Sequence, residues 1–185
     1  PFSPIRDSLP DVDGIIIGGG YPENFGRELE QNAQMREAIM AASLHGMPIY
    51  GECGGLMYLC DSIRFTSDWN GLSAGDEFQM CGIFSGTSSI PSRRIVRYVI
   101  GTSSADTPFG VHQFKGHEFH YSDVQLEPGT AYGYHLERGV GIEGSKDAAI
   151  SRNTLGSYTH LHPVAARKMF GDFCELCRKW KATRG

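Results

Sequence analysis

A single cysteine stands among glycines where two elements of opposite kind meet, in Tyr50-Gly51-Glu52-Cys53-Gly54-Gly55. Before it, Met47–Glu52 (MPIYGE) reads as a buried strand. After it, Gly54–Ile63 (GGLMYLCDSI) reads as a helix with Leu56, Leu59, Cys60 and Ile63 on one face. A strand that turns straight into a helix through one residue leaves little room beside the corner, which accounts for Gly51, Gly54 and Gly55. This is the nucleophile-elbow arrangement with Cys in place of Ser. The helix N-terminus favours a thiolate, and the Gly54 N–H is directed at a developing oxyanion. A cysteine that merely packs in a core explains none of these glycines.

The elements around the elbow predict an α/β fold. Gly14–Gly18 (GIIIG) is a short buried strand that ends in Gly18-Gly19-Gly20. Gly26–His45 has helical composition, with Leu29, Ala33, Ile39 and Ala42 or Leu44 on one side, and Gly46 stops it. Strand, helix, strand and helix in succession argue a flavodoxin-like open, mostly parallel sheet flanked by helices. Further on, Gly82–Ile90, Arg94–Ile100 and Glu118–Leu126 read as strands. Tyr132–Glu137 with Gly141–Ser145 reads as a hairpin, Thr154–His160 as a strand and Pro163–Lys181 as a helix. Pro163 suits a first helical turn, and Met169 or Phe170, Phe173, Leu176 or Cys177 and Trp180 recur at helical spacing. Residues 1–13, with three prolines, form an extended lead-in. Residues 1–185 make one domain.

Composition removes several function classes. Lys+Arg number 17 against 21 Asp+Glu, and no basic cluster stands out, so a nucleic-acid surface is not expected. No apolar run approaches the roughly 18 residues of a membrane span. Five cysteines, unevenly spaced and with no secretory signal before them, argue reduced thiols in the cytoplasm. Cys174-x-x-Cys177 sits well inside the last helix and reads as core. The chain opens on Pro1 and its first Met is Met35, which argues a part of a longer protein with some of the function upstream.

Three further segments carry chemistry. Gly18-Gly19-Gly20-Tyr21-Pro22-Glu23 follows the first strand, where α/β sheets bind ligands, and the Gly20 N–H is a second candidate oxyanion donor. The segment is neither GxGxxG with a following acid nor a P-loop, since no G-K-[ST] occurs. Gly156-Ser157-Tyr158-Thr159-His160-Leu161-His162-Pro163 supplies a base for the thiol, and spacing alone does not choose between His160 and His162. Gly116-His117-Glu118-Phe119-His120-Tyr121-Ser122 is not H-E-x-x-H, so no metal is expected there. A strand edge meeting a ligand through its backbone fits it better.

FSPIRDSLPDVDGIIIGGGYPE, YGECGGLMYL, GHEFHYSDV and GSYTHLHP, in that order, resemble the C-terminal class I (triad-type) glutamine amidotransferase domain of the cobyrinic acid a,c-diamide synthase family. The motifs span nearly the whole chain. The related cobyric acid synthases are similar around the Cys and His but are not expected to carry GGGYPE.

The resemblance implies a glutaminase that passes ammonia to an ATP- and Mg-using synthetase domain, which amidates the a and c carboxylates of the corrinoid precursor. That domain would lie N-terminal to this chain, and this domain itself would hold no cofactor. Cys53 matches the nucleophile and His160 the base. Many class I enzymes have Glu two residues after that His. Here His162 stands there, so no third triad member is assigned and His162 is a candidate orienting residue. Gly19, Gly20, Tyr21 and Gly54, with Glu118, Phe119, His120 and Tyr121, are the candidate oxyanion and substrate contacts. L-Glutamine is the implied substrate, the synthetase domain the implied partner, and a homodimer is open. The Gly/Ser-rich, strand-poor stretch Asp68–Gly82 is a candidate gating loop. Competing readings are the same chemistry on another tetrapyrrole such as nickel sirohydrochlorin, a non-catalytic binding module of this fold, and a hydrolase of the γ-glutamyl hydrolase kind.

Overall fold

The computed structural model describes residues 1–105, 107 and 109–184. Strand β1 (Ile15–Ile17) leads through a 3-10 turn (Pro22–Phe25) to helices α1 (Gly26–Gln31) and α2 (Ala33–Leu44). Strand β2 (Ile49–Glu52) runs into helix α3 (Gly54–Leu59), followed by β3 (Cys60–Phe65), β4 (Glu77–Gln79), β5 (Phe84–Ile90) and β6 (Ile95–Ser103). Then come β7 (Gln113–His120), β8 (Asp123–Leu126), β9 (Ala131–Arg138), β10 (Lys146–Ser151), β11 (Thr154–Ser157) and β12 (His160–Leu161), and helix α4 (Arg167–Arg184) closes the chain.

The fold is α/β, with helices flanking a mixed sheet. The main sheet has the order β1-β2-β11-β10-β9-β6-β7-β12, and a second has the order β4-β3-β5-β8. Parallel pairing in the main sheet is concentrated in β1-β2-β11, and the other pairings run antiparallel. Two buried clusters cover the two faces: Ile49 of β2 points into one, with Ile15, Leu56 and Leu59, and Tyr50 into the other, with Leu155 and Phe173.

Several expected elements differ, each for a local reason. The expected helix Gly26–His45 is two helices. Asn32 interrupts it: its side-chain oxygen accepts from the Met35 amide at 3.4 Å, and its side-chain amide donates to the Pro4 and Asp7 carbonyls. It is at once an N-cap and a tie for the lead-in. The helix after the elbow ends at Leu59, and Cys60–Phe65 is a strand whose buried Ser62, Ile63 and Phe65 fit that state as well as helical spacing fitted the other. β9 forms its hairpin with β10, while Gly141–Ser145 lies in the loop between them, with positive φ at Gly141, Gly144 and Ser145. The expected single strands Glu118–Leu126 and Thr154–His160 each break in two, as β7 and β8 and as β11 and β12. Asp68–Gly82, expected to be strand-poor, carries β4 with a buried Phe78, and Trp69 closes a tight turn with Leu72. Residues Pro163–Ala166 form turns before α4, whose Met169 and Phe173 are buried. Cys174 is exposed and Cys177 half-buried, so only the second of that pair touches the core.

Candidate active site

The elbow is a strained corner. Cys53 has φ 48° and ψ −100°, a backbone state that non-glycine residues rarely adopt. Its amide donates to the Ser157 carbonyl at 2.7 Å, and its carbonyl accepts from Met57 in the first turn of α3. The flanking glycines are required by close approach. A Cβ on Gly54 would lie 2.7 Å from the Gly20 carbonyl oxygen and 2.9 Å from its nitrogen, and one on Gly55 would run into the Ile17 carbonyl of β1. The same contact brings Gly20 and Gly54, the two candidate oxyanion donors, together. The Cys53 side chain is only 6% exposed and lies at the bottom of a cleft, with Sγ 3.6 Å from the Phe119 carbonyl oxygen.

His160 reaches this corner from β12. Tyr158 and Thr159, between β11 and β12, are turned by the buried carboxylate of Asp147. It accepts from the amides of Tyr158 and Thr159 at 3.0 Å each, and from the hydroxyls of Thr159 and Ser157 at 2.6 and 3.1 Å. His160 pairs across the sheet with His117 of β7, and the two rings stack with centroids 4.9 Å apart and planes 12° apart. Gly19 abuts the His160 ring so closely that a Cβ there would overlap it. His160 Nδ1 lies 3.6 Å from Oε2 of Glu52, whose Oε1 accepts from Tyr50 Oη at 2.9 Å and the Leu161 amide at 3.1 Å. The neighbouring Cys53 thiol and then the Glu52 carboxylate push His160 up to about 10 against the opposing effect of burial. His117 is lowered by burial and by its charged neighbour His160.

The remaining candidates divide. Gly19, Gly20, Gly54, Cys53 and His160 converge on one spot. Phe119 contributes its carbonyl oxygen to Cys53, while its ring is partly exposed beneath the Arg94 guanidinium. His120 and Tyr121 line the cleft beside Cys53, and Tyr21, half-exposed, stacks on Tyr121. Glu118 does not belong to the site. Alternation along β7 turns it to the opposite face from His117, where it is fully buried and accepts from the Val140 and Gly141 amides. Its role is to hold the loop between β9 and β10. His162 is exposed, its amide donates to Lys115, and the orienting contact on His160 comes instead from Glu52. Among the described residues no group of three or more His, Cys, Asp or Glu side chains could hold a metal ion.

Glu52, Asp147 and Glu23 are the residues that sequence reasoning missed. Glu52 adjoins Cys53, and a charged residue closing an otherwise apolar strand was the available signal. Glu23 closes the GGGYPE motif. It is 2% exposed, and Tyr121 donates to its Oε1 at 2.5 Å.

Residues 1–168 match the family model described as the CobB/CobQ-like glutamine amidotransferase domain. The chain belongs to that family. It is 46% identical to a cobyrinate a,c-diamide synthase of Methanosarcina acetivorans over 99% of its own length and 39% of the relative's. It is 43% identical to one of Methanothermobacter thermautotrophicus over 94% and 37%. The chain thus spans about two fifths of the length of these relatives. Among solved structures, a glutamine amidotransferase superposes with TM-score 0.61 at 14% identity, covering 89% of this chain and 79% of that one. PurLQS from Thermotoga maritima superposes with TM-score 0.62 at 16% identity, covering 91% and 82%. At such identities these two speak for the α/β amidotransferase fold alone. No described helix is long and apolar enough to cross a membrane.

Proposed function

We propose that this domain hydrolyses L-glutamine through a thioester on Cys53. The observation that carries the reading is the convergence of a strained corner cysteine, a histidine and a carboxylate: Cys53 at φ 48°, and His160 held up to about 10 by that thiol and by Glu52.

The chemistry follows from these groups. Cys53 attacks the carboxamide carbon as the thiolate partner of the His160 imidazolium. The oxyanion meets the N–H groups of Gly54 and Gly20, which close approach keeps free of side chains. Losing one such donor costs about 10²–10³ in rate. The largest influence holding His160 protonated is Cys53 itself. Once the sulfur is bonded to carbon in the tetrahedral adduct that influence is gone, and His160 becomes the better acid for the ammonia that departs as the adduct collapses to the thioester. It then takes a proton from the water that cleaves the thioester. Glu52 stabilises the imidazolium and fixes which ring nitrogen faces the sulfur.

The relatives' name and the family extend the proposal. The ammonia would amidate the a and c carboxylates of cobyrinic acid in cobalamin synthesis. ATP and Mg would be used by a synthetase domain of the same full-length protein, in the cytoplasm. Five free thiols fit a reducing compartment. The test is isotopic. Glutamine labelled with ¹⁵N in the amide, given to the whole protein with ATP and cobyrinic acid, should yield a doubly labelled diamide. Unlabelled or unamidated cobyrinic acid, with ammonia still released from glutamine, would leave the glutaminase chemistry standing and point to another acceptor.

A further inference from the structure

Beside Cys53 lie a buried acceptor without a donor, His120 Nε2, and a buried carboxylate without a cation, Glu23. Glu23 and His120 line the same cleft as the nucleophile, and no Lys or Arg lines it. Glu23 is 2% exposed, and among the described residues no cation pairs with it; its side-chain partner is the Tyr121 hydroxyl. A buried carboxylate whose partners are a neutral hydroxyl and its own backbone amide has its charge uncompensated and room for further donors, since it can accept about four hydrogen bonds.

His120 has a fixed tautomer. Its Nδ1 is 3.0 Å from the Ser122 carbonyl oxygen, which can only accept, so Nδ1 carries the proton. The lone pair is therefore on Nε2, which is buried and has no partner. The ring cannot swing to find one. It stacks on Tyr158 with centroids 3.7 Å apart and planes 8° apart, and Tyr158 is itself hydrogen-bonded to Ser122 at 2.9 Å. A carboxylate or carbonyl of a ligand would meet only like acceptors here. A group with several N–H donors and a positive charge satisfies both.

We propose that Glu23 and His120 form the subsite for the α-ammonium group of the substrate, which rests on the glutaminase reading above. Tyr121 orients the Glu23 carboxylate, and the aromatic rings of Tyr21 and Trp69 packed on Tyr121 hold it in place. Burial raises the Glu23 carboxyl, a penalty on its charged form that a bound cation would offset, and lowers His120, which keeps that ring a neutral acceptor. The subsite gives the domain a means of choosing an α-amino acid amide over an amide lacking the amino group.

The test compares L-glutamine with 4-carbamoylbutanoate, which is glutamine without its amino group, in wild-type protein and in Glu23→Gln. Loss of one charge-assisted contact corresponds to about 10–100-fold. Wild type should favour glutamine in kcat/KM by at least about that factor. Glu23→Gln should raise KM for glutamine about 10–100-fold, change kcat little, and leave 4-carbamoylbutanoate unaffected. Equal losses for both substrates, or an unchanged KM for glutamine, would overturn the subsite. If Glu23→Gln fails to fold, the wild-type preference decides, and its absence would also overturn it. A wild-type protein that releases no ammonia from glutamine would instead overturn the glutaminase reading and this inference with it.

Discussion

His160 Nδ1 lies 3.6 Å from Oε2 of Glu52, the residue next to Cys53 in sequence. In the proposed mechanism one short segment thus supplies both the attacking atom and the carboxylate that steadies its base. Glu52→Gln keeps an oxygen that can accept from Tyr50 and Leu161 but removes the charge opposite the imidazolium. Glutamine turnover should fall by on the order of 10² with little change in Tm. His162→Ala should stay within about threefold of wild type, because an exposed side chain away from the base carries no catalytic contact. A larger loss in His162→Ala than in Glu52→Gln would reverse the assignment.

The raised His160 makes stability depend on pH in a definite direction. Its folded value of about 10 lies above the ordinary 6.5, so the imidazolium's contribution is fully present below pH 6.5 and disappears as pH climbs through about 10. The Tm difference between wild type and His160→Gln should therefore shrink steadily from pH 6.5 to 10. A difference that stays constant over that window would mean the ring is not held charged by Cys53 and Glu52.

Two glycine substitutions should separate catalysis from folding. In Gly19→Ala the new methyl meets the His160 ring, which can move. A shift of about 1 Å in a catalytic group costs roughly 10² in rate, so activity should drop while Tm changes little. In Gly55→Ala the new methyl meets the backbone carbonyl of Ile17 within the sheet. Overpacking of that kind costs about 1–3 kcal/mol, so Tm should fall clearly. Circular dichroism melts beside ammonia-release assays distinguish the two, and the same pattern in both variants would contradict the geometry.

Asp147 should matter to both. Its carboxylate accepts from two amides and two hydroxyls in the turn that delivers His160. Asp147→Asn puts an NH₂ where an acceptor is needed. Each buried donor left unmet costs about 1–3 kcal/mol. Denaturant unfolding should show a loss of that size, with reduced turnover in the fraction that remains folded. A variant as stable as wild type would mean the turn is held by something other than Asp147.

The elbow was readable because steric need and chemistry coincide in Gly51–Gly55, and the GGG loop was readable for the same reason. Glu52 was not, because one charged residue at the end of a strand has many uses, and its partner lies over 100 residues away. Glu118 shows the converse. It stands in a motif with His117, Phe119 and His120, but period-two alternation turns it away from His117 and Phe119, and two amides of the β9–β10 loop claim it. The split of Glu118–Leu126 between two sheets was hidden because alternation continues across Tyr121 and Ser122 whichever sheet is joined. His120 and Tyr121, which line the cleft, lie at that break, His120 as the last paired residue of β7. The break at Asn32 carried a visible sign, an Asn before an apolar run. The change from helix to strand at Cys60 had none, because Leu59, Cys60 and Ile63 satisfy either periodicity.

The central claim is a γ-glutamyl thioester on Cys53. It is tested most directly by treating the protein with an electrophilic glutamine analogue, 6-diazo-5-oxo-L-norleucine, and mapping the adduct by mass spectrometry. One label is expected, on Cys53 among the five cysteines. It should form at a rate that excess glutamine suppresses, and ammonia release should be lost both in the labelled protein and in Cys53→Ala. Labelling of another cysteine, or ammonia release that survives in Cys53→Ala, would contradict it.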